Sequence, residues 1–267
     1  MTTTTRIDLG TDDLIFETDG AVAWLTFNRP QARNAMTWAM YEGLFAACER
    51  VDADDAVRVF VLRGAGDKAF VAGTDISQFQ TFATADDALT YERNVNRYAS
   101  RLEAIGKPTI AMIRGYCVGG GAALAMACDL RIASDDAKFG IPIARTLGNT
   151  LSAQNLARLV ALVGPARAKE LIFTARFIEA DEGKAVGLFN EVVAADQLEA
   201  RTRELAALIA GHAPLTMRSI KEGVRRLMEH GRIADTQDLY LMAYMSEDFK
   251  EGVAAFMAKR QPHWKGR

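Results

Sequence analysis

The sequence predicts a mixed α/β chain that ends in a helical region. Three observations predict it. Short apolar runs of strand character alternate with helical stretches as far as Val193, and such alternation lays helices against a sheet. A succession of helical segments without strands follows. Between one strand-type and one helix-type segment stands a triple glycine, Gly119-Gly120-Gly121, where backbone can turn sharply or approach another chain segment closely.

Taken in order, residues 1–13 are polar and expected to fray. Residues 14–17 and 21–27 read as a hairpin around Asp19-Gly20, because Val22, Trp24 and Thr26 alternate with Ala23, Leu25 and Phe27 at the period of a strand. Asn28-Arg29-Pro30 breaks it. A helix is predicted over 36–51, with Met40, Leu44, Ala47 and Val51 on one stripe. Residues 57–62 form a buried-type strand. The stretch 77–100 is polar and helix-permissive without a clean stripe, and reads as a mobile segment over a pocket. A strand at 109–113, a helix at 122–128 and a strand at 130–133 follow. Helices are predicted at 152–162, 165–175, 180–186 and 197–210, with Pro165 suited to a first helical turn. Gly211-His212-Ala213-Pro214 then separates a core unit, 1–211, from a helical region, 212–267. Two amphipathic helices are expected there, one carrying Met217, Ile220, Val224 and Leu227, the other Leu239, Met242, Met245, Phe249, Val253 and Phe256. A weak internal echo, Val61-Leu62-Arg63-Gly64 and Met112-Ile113-Arg114-Gly115, suggests two similar strand-loop-helix units side by side.

With 267 residues, 49% of them hydrophobic and 25% charged, the chain can bury a full core without disulfides or structural metal. A net charge of −2 argues against nucleic acid or an anionic membrane as partner. No apolar run approaches the roughly 20 residues that span a bilayer, and the first residues carry no apolar signal-like region. Cys48, Cys117 and Cys128 are odd in number and lack metal-ligand spacing, so reduced thiols and a cytoplasmic location are expected, with no metal.

Two small-residue turns can carry chemistry. The triple glycine opens a helix, whose N-terminus favours negative charge. It is not the dinucleotide fingerprint, because the last position counted from Gly119 is Leu124, and no P-loop is present. Ala72-Gly73-Thr74-Asp75 is the second turn. One free N–H from each would make an oxyanion hole. Asp75 is a candidate base, with helix capping as the commoner use of aspartate at such a place.

These turns lie within a set of motifs that resembles the crotonase, or enoyl-CoA hydratase/isomerase, superfamily. The set comprises Phe27-Asn28-Arg29-Pro30 with Asn34-Ala35-Met36, Lys68-Ala69-Phe70 with Ala72-Gly73-Thr74-Asp75-Ile76, Gly115-Tyr116-Cys117-Val118-Gly119-Gly120-Gly121 with Cys128-Asp129-Leu130, Lys138-Phe139-Gly140-Ile141-Pro142, Gly187-Leu188-Phe189-Asn190-Glu191-Val192-Val193, and Ser246-Glu247-Asp248 with Glu251-Gly252, Phe256 and Lys259-Arg260-Gln261-Pro262. The resemblance implies a spiral of ββα units with a C-terminal trimerisation region, as a homotrimer or dimer of trimers. It implies acyl-coenzyme A thioesters as substrates, with coenzyme A as part of the substrate and no tightly bound cofactor. It places the oxyanion hole at the backbone N–H groups of Thr74 and Gly120. It places substrate contacts at Ala32, Arg33, Lys68, Ala72, Ile76, Tyr116, Val118, Gly119, Ala123, Pro142, Ile143, Leu147, Phe256 and Lys259, with Arg33 and Lys68 as phosphate partners.

The sequence also departs from that family. Hydratases of the family carry two glutamates that hold and activate water; at the matching positions stand Ala123 and Ile143, whose hydrocarbon side chains transfer no proton. The loop 144–152 offers Arg145, Asn149, Thr150 and Ser152, but no carboxylate. An acid or base is therefore sought in 77–100, which holds Asp86, Asp87, Tyr91 and Glu92. The expected reaction is isomerisation, decarboxylation, hydrolysis or C–C cleavage through a stabilised oxyanion. Hydration with non-standard groups and non-catalytic acyl-CoA binding are the alternatives.

Overall fold

The computed structural model describes residues 5–79, 83–230 and 237–267. Seven strands, β1 (Thr5–Ile7), β2 (Leu14–Asp19), β3 (Val22–Phe27), β4 (Val59–Gly64), β6 (Thr109–Ile113), β8 (Leu130–Ser134) and β11 (Glu191–Val193), lie side by side in that order in one sheet. The other four, β5 (Ala69–Ala72), β7 (Tyr116–Val118), β9 (Lys138–Gly140) and β10 (Ile178–Glu179), form a second sheet. Helices α1 (Trp38–Ala53), α2 (Ala85–Glu103), α3 (Gly120–Ala127), α4 (Ile143–Thr146), α5 (Ala153–Thr174), α6 (Ala180–Ala185) and α7 (Leu198–Ala210) connect or cover them. Helices α8 (Pro214–His230), α9 (Gln237–Tyr244) and α10 (Glu247–Met257) end the chain.

The arrangement is a spiral. β4 and β6 are parallel neighbours in the large sheet, and β5 and β7 are parallel neighbours in the small one. β8 and β9 repeat the step against β6 and β7. The Arg63-Gly64 and Arg114-Gly115 echo thus marks equivalent ends of adjacent strands, and a third unit follows that it does not reach.

Alternation along the central strands explains why the large sheet is covered on both faces. Leu25, Phe60, Leu62, Ala111, Ile113 and Ala133 belong to the main core, which also takes in α1, α2 and α3. Their strand neighbours Trp24, Val59, Val61, Ile110, Met112 and Ile132 point to the opposite face and meet Leu198 and Ala206 of α7. Buried Arg131 ties the far end together: its guanidinium donates to the carbonyls of Ala125, Cys128 and Leu188.

The structure corrects three sequence expectations. Residues 5–7 pair antiparallel with β2, so this part of the N-terminal stretch is a strand. Within 77–100 stands most of a capped helix: Thr84 and Asp87 form a reciprocal capping box. Val95, Tyr98, Ala99 and Leu102 give α2 a buried stripe, which the intervening charged residues obscure in sequence. The last region holds three helices, because Ser246 Oγ accepts from Phe249 N and starts α10 inside the predicted second helix. The helices predicted at 152–162 and 165–175 are both present, because non-helical backbone at Gly164 (φ +77°), ahead of Pro165, divides α5 in two. Among the described residues, no helix is long and apolar enough to cross a membrane.

Candidate active site

Three glycines set the geometry at the start of α3. Gly119 sits at φ +54° and donates to Gly140 O at 3.0 Å. Gly121 lies directly on β5: a Cβ there would fall 2.1 Å from Val71 O. Between them Gly120 is the first helical residue, and its N–H has no partner within the helix.

The Thr74 turn is held against that helix end by the strand-to-helix connection ahead of α1. Asn34, fully buried, accepts from Arg29 N and donates to Ala65 O and Ala69 O. Ala72 N donates to Arg33 O, Met36 N to Gly73 O, and Asp75 N to Met36 O. This ladder skips Thr74 N. A Cβ on Gly120 would lie only 3.4 Å from Thr74 N, so the two amides are close neighbours. Thr74 Oγ1 is bonded to the hydroxyl of Tyr41 at 2.9 Å and contacts that of Tyr91 at 3.3 Å. Burial pushes both phenols up from their ordinary range, so they are neutral hydrogen-bonding groups near pH 7.

A cavity of about 200 Å³ opens at this junction. Of the residues singled out in the sequence, it gathers Ala72, Thr74, Ile76, Val118, Gly119, Gly120, Ala123, Pro142, Ile143 and Leu147. Asn149, Thr150 and Ser152 of the 144–152 loop also line it, whereas Arg145 stays exposed outside it. The far wall comes from α2, through Tyr91, Glu92 and Val95. Asp86 and Asp87 are not in the lining. Asp87 instead caps its own helix, which holds its carboxyl below the usual range.

Arg33, Lys68 and Tyr116 are outside the cavity lining and cluster with one another. Lys68 O accepts from Tyr116 N, and the Arg33 guanidinium lies 5.3 Å from the centre of the Tyr116 ring. Ala32 directly precedes Arg33 in this turn. Lys259 is exposed just beyond α10 and lies outside the cavity lining. The Phe256 side chain lies outside the described residues.

Asp75 is engaged away from the cavity. Its carboxylate accepts from Ser77 N and Ser77 Oγ and pairs with Arg29 at 3.1 Å. The Ser77 hydroxyl, followed by its amide and the Arg29 guanidinium, holds this carboxyl below its ordinary value. The geometry is that of a turn cap, so Asp75→Asn is expected to keep turnover within about threefold and to cost about 1 kcal/mol or less of stability. Steady-state kinetics with a melting curve check this; a loss of several orders of magnitude in turnover alone would restore the base reading.

The thiols offer no nucleophile. Burial pushes Cys48 and Cys128 up to about 12, and Cys117 higher still. Among the described residues no cluster of His, Cys, Asp or Glu is arranged to hold a metal ion. A larger cavity, about 680 Å³, lies between the start of β6 and α8. Some of its charges pair with one another, as in Arg225–Glu222 and Arg226–Asp238, and Lys221 pairs with Asp129 outside the lining. Neither amide donor lines it.

Sequence reasoning did not anticipate Tyr41 or Asn34 as supports of the amide pair. Tyr41 lies on the predicted α1 helix but outside the Met40 stripe, so nothing in the local pattern marks it.

The comparisons with known proteins agree with this architecture. The family model described as enoyl-CoA hydratase/isomerase matches residues 17–267. A short-chain-enoyl-CoA hydratase of Clostridium acetobutylicum is 36% identical over 253 residues, covering 94% of this chain and 96% of that protein. A crotonyl-CoA hydratase of Syntrophomonas wolfei is 35% identical over 257 residues, covering 95% and 98%. The crystal structure of an enoyl-CoA hydratase/carnithine racemase from Magnetospirillum magneticum superposes with a TM-score of 0.90 at 36% identity, covering 97% of each chain. With a two-sheet spiral that superposes on a solved member and a match along nearly its whole length, the chain belongs to the enoyl-CoA hydratase/isomerase family.

Proposed function

We propose that the protein processes acyl-CoA thioesters, holding the thioester oxygen between the N–H groups of Thr74 and Gly120 as an enolate forms. The reaction differs from hydration by two glutamates. One observation carries this reading: the cavity that contains both amides is lined by the hydrocarbon side chains of Ala123 and Ile143, the positions that the resemblance matches to the hydratases' glutamates. Preset amides stabilise charge that develops in the transition state, whatever bond is then made or broken. The cavity volume is below the roughly 300–1,000 Å³ of whole-ligand sites, which suits the acyl end of an ester. The carrier would then run past Ala32, Arg33, Tyr116 and Lys68, its phosphates near the two cations, with Lys259 towards the adenine end and Phe256 as a further substrate contact.

A homotrimer or a dimer of trimers accompanies this reading, with residues 212–267 as the assembly region. Ile220, Val224, Leu227, Leu241, Met245, Val253 and Met257 are all about half exposed or more, apolar side chains that an assembly interface would cover. A cytoplasmic setting fits the three free thiols.

Hydration by non-standard groups is the second reading, favoured by relatives that are themselves named hydratases, such as the Clostridium protein. Crotonyl-CoA separates the two. The wild type is expected to form the hydrated product at least about 10²-fold more slowly than the double variant Ala123→Glu with Ile143→Glu, since each proton-transfer group contributes about 10²–10⁴. Chromatography of the products reads the rates, and calorimetric binding of the ester verifies that the variant is folded. A wild type that hydrates as fast as the double variant would establish the second reading.

A further inference from the structure

The cavity at the two amides has one wall with a different chemistry. Among its described lining residues, Glu92 is the only charged side chain. The remaining polar groups there are hydroxyls and amides from Thr74, Tyr91, Thr146, Asn149, Thr150, Ser152 and Asn155, and none of these is a base near neutral pH. Glu92 makes no hydrogen bond or ion pair with a described residue, whereas carboxylates elsewhere, such as Glu222, Glu182 and Glu191, are held by arginines.

The helix that carries it is anchored at the cavity. Tyr91 and Val95 flank it on α2 and line the same cavity. The Tyr91 hydroxyl contacts Thr74 Oγ1, and Trp38 packs edge-on against the Tyr91 ring. One turn further along, Asn96 Oδ1 accepts from Ser152 Oγ at 2.6 Å. The helix is therefore tied to both sides of the cavity, the oxyanion turn and the cap of α5. A base on a fixed element meets the precision that proton transfer requires.

We propose that Glu92 is the proton-transferring residue of this site and that it moves one proton between two carbons of a bound 3-enoyl thioester. This rests on the thioester reading given above. A single carboxylate serves such a reaction, because the group that removes the proton also returns it; adding water needs a water held and activated as well. The carboxylate takes the proton from C2, and that bond's electron pair passes into a dienolate whose oxygen is held by Thr74 N and Gly120 N. The Glu92 carboxyl then gives the proton to C4, as the double bond moves from C3–C4 to C2–C3. One C–H bond breaks and one forms, the carboxylate is regenerated, and nothing is oxidised or reduced.

The partly buried setting supports this role: desolvation raises the Glu92 carboxyl above its ordinary value. Beside it on α2 is the neutral Tyr91 phenol. The lining groups from the Thr74 turn, from α3 and from residues 141–155 are uncharged. The rate should therefore climb with pH as this one carboxyl deprotonates, with its midpoint above the ~4.3 of a free glutamate.

The test uses trans-3-hexenoyl-CoA with the full-length protein, following 2-hexenoyl-CoA by chromatography and ester binding by calorimetry. Glu92→Gln is expected to lower kcat by about 10²–10⁴-fold with affinity changed by less than about threefold, and to abolish the acid limb of the pH profile. Glu92→Asp should retain more activity than Glu92→Gln and keep that limb. Isomerisation by Glu92→Gln at the wild-type rate would overturn the proposal. So would a wild type that binds the ester without isomerising it, although the thioester site would then stand. A wild type that binds no CoA ester would overturn the thioester reading itself.

Discussion

Gly120→Ala is expected to reduce turnover of a CoA ester by on the order of 10²–10³-fold, the effect of losing one oxyanion donor in other enzymes. The mutation removes no N–H. Its cost comes from space: the new methyl would lie 2.7 Å from the Tyr41 hydroxyl and 3.1 Å from Thr74 Oγ1. Something must shift, and Tyr41 has nowhere to go. It is 1% exposed, stacked 5.2 Å from the Tyr98 ring and packed against Trp38. The Thr74 turn is the softer partner, so the amide pair spreads and the oxygen loses one of its two donors. Melting curves of the variant should stay close to wild type, because the strain falls on a half-exposed turn. Tyr41→Phe in the same chain removes the nearest atom and should restore turnover about tenfold or more, roughly 1.4 kcal/mol of the lost transition-state stabilisation. Steady-state kinetics on the single and double variants measure both effects. Full activity in Gly120→Ala would mean that these two amides do not hold the reacting oxygen.

Arg131→Ala is expected to cost about 3–5 kcal/mol of folding stability, because it leaves several buried carbonyls without donors, each at about 1–3 kcal/mol, and removes a buried side chain. Arg131 is 4% exposed. Its guanidinium satisfies three carbonyls, Leu188 O at 2.7 Å, Cys128 O at 2.8 Å and Ala125 O at 3.2 Å. Two of these belong to the end of α3, where a positive charge also complements the helix dipole. Desolvation lowers the arginine from its ordinary value, yet it remains charged near neutral pH. Truncation leaves the carbonyls buried without donors and opens a cavity between α3 and the segment before β11. Arg131→Lys should recover only part of the loss, because an ammonium lacks the planar fork that reaches separate carbonyls. Denaturant unfolding of the three proteins checks the order wild type, Lys, Ala. Equal stability in Arg131→Ala would refute the bridging role.

Much of the architecture was legible because it depends on local period. β2 and β3 announce themselves through alternation about Asp19-Gly20, and α1 through the Met40, Leu44, Ala47 and Val51 stripe. The Arg-Gly echo at the ends of β4 and β6 marked the repeat unit itself. In sequence α2 reads as a mobile cover because Arg93, Arg97 and Arg101 interleave with Val95, Tyr98 and Leu102. Only the partner surface on α1 reveals which of those residues form the buried side. The third tail helix was hidden for a related reason: Met245 and Phe249 share an apolar spacing that runs straight across the Ser246 cap.

At the site, the two glycine-bearing turns and the hydrocarbon side chains of Ala123 and Ile143 were readable from the residues and the resemblance they carry. The four candidates Asp86, Asp87, Tyr91 and Glu92 were equivalent in one dimension. Tertiary structure separated them, by turning Asp86 and Asp87 to the start of α2 and bringing Tyr91 and Glu92 to the cavity, and it drew Asp75 away to Arg29 and Ser77. The sequence alone determined which chemical groups the protein owns and the period of its strands and helices, since both are properties of neighbouring residues. Which groups share one small volume was decided by the fold, because residues 74, 92, 120 and 143 meet only after sheets and helices have packed over one core.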